Sequence, residues 1–107
     1  MSQPRQLRQV RLEPNIVNEF KLNAEAWVID ISELFDEVVL KFLSAHKDNQ
    51  ITYLSQPKDL PVTNVRLSQN VFQLVNDRAN KDRGSVPNLL YTAFIWYAKE
   101  NHFSIDN

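Results

Sequence analysis

Cysteine is absent from the chain, which excludes disulfide staples and thiolate metal sites and is compatible with a reducing cytosol. Glycine occurs once, at Gly84, too rarely to build a glycine-rich phosphate loop. The two histidines, His46 and His102, stand in no metal-ligand spacing and have no cysteine beside them; both are expected on the surface. Carboxylates are plentiful, yet no pair stands out as an acid/base dyad. These absences predict a protein that is not an enzyme and needs no metal or cofactor. No apolar run follows the opening residues, Met1 to Gln6, so neither a signal peptide nor a membrane anchor is expected, and the expected location is the cytoplasm. A strong excess of one charge is missing as well. Twelve Lys/Arg stand against thirteen Asp/Glu, whereas a strongly basic chain would point directly to nucleic acid.

What the chain does contain is one pattern written twice. Val10-Arg11-Leu12-Glu13-Pro14-Asn15-Ile16 returns 55 positions later as Val65-Arg66-Leu67-Ser68-Gln69-Asn70-Val71, and the register then runs without a gap. Identities are few, among them Val10/Val65, Arg11/Arg66, Leu12/Leu67 and Ala24/Ala79. Apolar character is kept far better, as at Ile16/Val71, Phe20/Val75, Phe35/Leu90 and Val39/Phe94, while the polar positions drift. Shared burial has this signature, and an internal repeat outranks other sequence signals. At 107 residues and 43% hydrophobic content the chain supplies one core and too little for two, so the halves are expected to share a single domain over residues 1–107.

Each half reads as strand, helix, turn, helix. Over Leu7 to Leu12, Val10 and Leu12 alternate with Gln9 and Arg11; over Val62 to Leu67, Val65 and Leu67 alternate with Asn64 and Arg66. That is the period of a strand wet on one face. A helix follows in both halves, with apolar residues at three-and-four spacing (Ile16, Phe20, Ala24; Val71, Val75, Ala79). Pro14 suits its first turn in one half and Ser68 its N-cap in the other. The second helix starts from Ser85 before Val86-Pro87, or from Asp30 with Glu33 in capping-box spacing. Tyr91, Phe94, Trp96 and Tyr97 have core spacing on that helix rather than the look of a base-stacking platform. The boundaries predicted are 7–46 for the first repeat, 47–61 for a connector with one short ordered patch at Ile51-Thr52-Tyr53-Leu54, and 62–102 for the second repeat. A lone strand needs a partner for its backbone groups, and each copy can supply one to the other. The expected fold is therefore mainly α, with a two-stranded antiparallel β-ribbon over four helices.

With Val65-Arg66-Leu67, the Gly84-Ser85 turn and the helix from Val86 to Glu100, the sequence resembles the ribbon-helix-helix family of Arc/MetJ-type DNA-binding proteins. Two such modules in one short chain are similar to TraY-type relaxosome accessory proteins of conjugative plasmids. The resemblance covers nearly the whole chain and implies two ribbon-helix-helix repeats forming a pseudo-dimer. It also implies sequence-specific binding of double-stranded DNA, as a transcriptional repressor or a plasmid transfer or maintenance factor. The ribbon would enter the major groove with Gln9, Arg11, Asn64 and Arg66 toward base edges, since Arg can pair bidentately with guanine and Asn or Gln with adenine. Phosphates would be met by the amides of Ser85 and Val86 at a helix N-terminus, by Arg5 and Arg8 on the N-terminal arm, and by Lys81 and Arg83.

The first repeat departs from that pattern. Where the second has Arg83-Gly84-Ser85 the first has Val28-Ile29-Asp30, a turn without a permissive glycine whose cap is a carboxylate that would repel phosphate. The apolar run Trp27-Val28-Ile29 is expected either to cover the core or to meet a partner. A different class of function stays open on these grounds: an antitoxin-like or regulatory adaptor that binds protein without DNA contact. Further partners to consider are a second copy of the chain on DNA and a relaxase or toxin-type protein.

Overall fold

The computed structural model describes residues 4–103; residues 1–3, which open the stretch read for a leader, and 104–107 lie outside it. The elements are β1 (Gln6–Arg11), α1 (Pro14–Trp27), α2 (Ile31–Ala45), β2 (Val62–Leu67), α3 (Gln69–Asp82) and α4 (Val86–Glu100). Strand and helix lengths of 6, 14 and 15 residues are followed by 6, 14 and 15 again. The two strands form one antiparallel ribbon in which Gln9 pairs with Asn64 and Arg11 with Val62. β1 begins one residue earlier than the alternation predicts and ends at Arg11, although the Leu12 amide still bonds the Pro61 carbonyl at 3.2 Å.

Alternation puts Val10, Val65 and Leu67 on the inner face, each essentially buried, and leaves Gln9, Asn64 and Arg66 exposed on the other. Beneath the ribbon the first helix of each half contributes one buried stripe, Ile16, Phe20 and Ala24 in α1 and Val71, Val75 and Ala79 in α3. Helices α2 and α4 pack against each other and close the core. Its centre is aromatic. Phe20 lies 5.3 Å from Phe35 and 5.5 Å from Phe94, edge to face, and Phe103 comes back to the same ring at 5.3 Å. Each such ring contributes on the order of 2–3 kcal/mol through burial. No helix among the described residues is long and apolar enough to cross a membrane.

The cap residues stand where the sequence places them, although Asp30 bonds the Ser32 amide and forms no capping box with Glu33. Asp30 accepts from the Ser32 amide, Ser68 from Val71 and Ser85 from Asn88, each supplying an acceptor to an otherwise orphaned first-turn donor. The turns depart from the sequence reading. Both α1 and α3 end with a left-handed residue, and these are Val28 (φ 56°) and Arg83 (φ 59°); Gly84 has no positive φ. The next amide in each turn bonds back to the helix, Ile29 to Ala24 and Gly84 to Ala79. Gly84 is required for space instead: a Cβ there would run into the Tyr53 ring. Ile29, at the matching position, packs its own side chain on the core. In the second half a ring from the connector takes that room.

The connector has no regular secondary structure, but it is fixed along its length. Arg78 holds its start through the carbonyls of His46 (2.9 Å) and Asn49 (2.7 Å) while paired with Asp82. Ile51 is buried, the Tyr53 hydroxyl donates to Asp82 at 2.8 Å, and the Leu54 amide donates to Thr92 Oγ1 at 2.8 Å. Burial, together with the carboxylate of Asp82, raises the Tyr53 phenol above its ordinary pKa, so it stays a donor. His46 is half-buried rather than a surface group, because its ring packs on Phe42 at 4.3 Å and near Trp96 at 5.9 Å.

Candidate nucleic-acid interface

The outer ribbon face carries six side chains in three cross-strand pairs: Leu7 with Arg66, Gln9 with Asn64, and Arg11 with Val62. Gln9 Nε2 donates to Asn64 Oδ1 at 3.4 Å, a loose amide pair at the middle of the ribbon. All four residues predicted for base contact therefore stand together on one face. Leu7 and Val62, absent from the predicted contacts, are 44% and 45% exposed on the same face. The signal was available, since Leu7 and Val62 alternate in step with Gln9 and Asn64. It was masked by the expectation that apolar strand residues point inward. Exposed apolar side chains of this kind suit contact with a thymine methyl group.

The two arginines are not equivalent. Arg66 is exposed, and its side chain makes no hydrogen bond or ion pair among the described residues. Arg11 is half-buried; its Nη1 donates to the Leu60 carbonyl at 2.6 Å, and its backbone amide donates to Gln56 Oε1 at 2.7 Å. The connector thus holds one arginine at its strand end and leaves the other loose.

The basic residues predicted for phosphate fall into two groups. Lys81, Arg83 and Ser85 are exposed around the α3–α4 turn, beside the half-buried Val86. Ser85 Oγ accepts from the Asn88 backbone amide, which leaves its O–H donor, together with the backbone amides at the positive end of the helix dipole, for an anion. Arg5 and Arg8 are engaged. Arg5 Nη1 pairs with Asp36 Oδ2 at 2.8 Å and reaches the Arg66 carbonyl at 3.2 Å. Arg8 lies within β1 rather than ahead of it, on the inner face, with its guanidinium carbon 4.2 Å from the centre of the Phe72 ring. Burial is incomplete at both, and a guanidinium has five donors, so each keeps capacity for a second acceptor.

At the matching end of α2, hydrogen bonds from Ser32 hold the fully exposed Asp30 carboxyl below the usual carboxylate range, with the charges of Arg5 and Arg66 adding to the effect. An ionised cap disfavours phosphate there. The helices also hold each other's N-cap residues across the halves. Asp36 Oδ1 accepts from the Ser68 amide at 3.0 Å, and the Tyr91 hydroxyl donates to both Glu13 oxygens at 3.2 and 3.1 Å. Burial and the facing carboxylate push the Tyr91 phenol up to about 12.

Trp27 is 72% and Val28 89% exposed, so this run does not cover the core; Ile29 alone packs inward. Tyr91 and Phe94 are buried and Trp96 and Tyr97 partly so, in keeping with a core role. No group of three or more His, Asp or Glu side chains able to hold a metal ion occurs among the described residues. In comparisons with protein-family models, curated proteins and solved structures, nothing matched the chain.

Proposed function

We propose that this protein binds double-stranded DNA sequence-specifically, laying the outer face of its β-ribbon in the major groove as two ribbon-helix-helix repeats joined in a pseudo-dimer. One observation carries the reading. The repeat relates residues 55 apart, and the strands pair so that Gln9 faces Asn64, two residues that are themselves 55 apart. A local twofold through that pair therefore exchanges Leu7 with Val62 and Arg11 with Arg66. The outer face then presents apolar, amide and arginine twice in opposite directions. This set suits the donor and acceptor pattern of the major groove, which is wide enough for a two-stranded ribbon. The α3–α4 turn, with Lys81, Arg83 and the amides of Ser85 and Val86, supplies backbone attraction on one side; Asp30 weakens it on the other. Repression of transcription and assistance to plasmid transfer or maintenance are both compatible with such a module.

The test is fluorescence anisotropy of mixed-sequence duplex DNA at low and moderate salt. Binding is expected, with log K falling linearly in log salt by about 0.9 for each phosphate neutralised. Absence of binding at low salt overturns the reading.

A second reading draws on Trp27 and Val28, whose exposure is unusual for large apolar side chains: an adaptor that meets a protein partner, such as a relaxase or toxin-type protein, through the α1–α2 turn. Its hallmark is association insensitive to salt and abolished by Trp27→Ser.

A further inference from the structure

A cavity of about 510 Å³ opens between β2 and the α1–α2 pair. Its accessible apolar wall is formed by Val17, Ile31, Pro61 and Val62 over the buried Leu12 and Phe35, with Asn18 and Lys21 at the rim. The volume falls within the range of small-molecule sites, as does a mostly apolar lining with few polar groups. The same place in the other half, 55 positions away, shows what this geometry accommodates. Val17 corresponds to Phe72, and Thr63, which lines the cavity, corresponds to Arg8. There the Phe72 ring fills the space against the core and the Arg8 guanidinium lies over it at 4.2 Å. In the first half both positions carry smaller side chains, so the room for one aromatic ring and one planar polar group is open to the outside.

The charge differs as well. Lys21 stands where the second half has Asn76 and is the one charged residue on the cavity wall. A cation at the rim of a ring-sized apolar space selects an anion attached to an aromatic body. We infer that this cavity is a binding site for a small aromatic carboxylate, its ring seated against Val17 and Ile31 and its carboxylate toward Lys21 and the Asn18 amide. The inference goes beyond DNA binding and does not depend on it. It rests on the cavity and on the way the matching position is filled.

The probes are phenylacetate, phenethylamine and acetate, added to the full chain labelled with ¹⁵N and followed by amide shifts. Phenylacetate is expected to give saturable shifts at Val17, Asn18, Lys21 and Thr63, with a Kd on the order of 1 mM or tighter, as befits about ten non-hydrogen atoms. Phenethylamine, which keeps the ring and reverses the charge, is expected to bind several-fold more weakly, and acetate to give no saturable shift. Val17→Phe rebuilds the filled arrangement of the other half and should abolish the shifts while the spectrum stays that of a folded protein. Lys21→Met should remove the preference for phenylacetate over phenethylamine. Shifts centred on other residues, unchanged affinity in folded Val17→Phe, or an anion preference that survives Lys21→Met would each overturn the site. If Val17→Phe does not fold, Lys21→Met decides alone.

Discussion

Helices α2 and α4 occupy the same place in the two halves and have the same length, yet one is sheathed and the other bare. Thr92 and Ile95 of α4 are buried. Their counterparts in α2 are the exposed Glu37 and Leu40, which is 41% exposed. The cause is the connector. After α2 it lies along α4, bonds Leu54 to Thr92 and Gln56 to Asn88, and turns Tyr53 into the space over Gly84. Two helices that share one pattern of core burial thus carry different second faces, because among the described residues the strap lies on α4. The same strap reaches the ribbon, where Gln56 and Leu60 hold Arg11, while the Arg66 side chain has no hydrogen bond among the described residues.

The comparison is most easily broken at its apolar contact. Ile95→Ala removes a buried side chain under the connector and should destabilise the fold by about 2–4 kcal/mol. Leu40→Ala, at the matching position, should cost well under about 1 kcal/mol. Urea unfolding of the two variants measures the difference; equal losses would show that the strap does not cover α4 in solution.

Gly84→Ala places a methyl group against the Tyr53 ring and should cost about 1–3 kcal/mol by overpacking. Most of that cost should disappear when Tyr53→Ala is combined with it, since the backbone at Gly84 has no positive φ. A double-mutant cycle by urea unfolding separates crowding from backbone strain.

The arginines sharpen the comparison in binding. Arg66→Ala should weaken affinity for a selected DNA target by about 1–3 kcal/mol, the worth of one bidentate base contact. Arg11→Ala should cost less, because its guanidinium is already hydrogen-bonded to Leu60. Anisotropy titrations of both variants at one salt concentration give the order, and a larger loss at Arg11 would reverse the assignment.

The smallest effect is a gain. Val28 holds a left-handed conformation that a β-branched residue adopts at a cost. Val28→Gly should therefore raise stability by up to about 1 kcal/mol, read as an increase in the urea midpoint.

Strands, helices and caps were legible because each is set by neighbours a few residues away. Val65 and Leu67 alternate with Asn64 and Arg66, and Ser68 and Ser85 stand just before the helices they cap. The ribbon face was legible for the same reason, through Gln9 and Arg11. What escaped depends on contacts across long stretches of chain. The spacing of Ile51 to Leu54 does not reveal that Thr92 accepts from Leu54, 38 residues away, or that Tyr53 rather than a left-handed backbone demands the glycine at 84. Arg5 and Arg8 looked like loose charges because Asp36 and Phe72 lie far off in sequence.

Each strand of the ribbon is encoded by its own stretch of the chain, and this gives the surface a direction. A ribbon assembled from two identical chains presents a face that is the same from either end. Here Gln9 stands across from Asn64, Leu7 answers Val62, and a mutation at one leaves the other untouched. Whatever docks on such a face meets a head and a tail, and is held one way round.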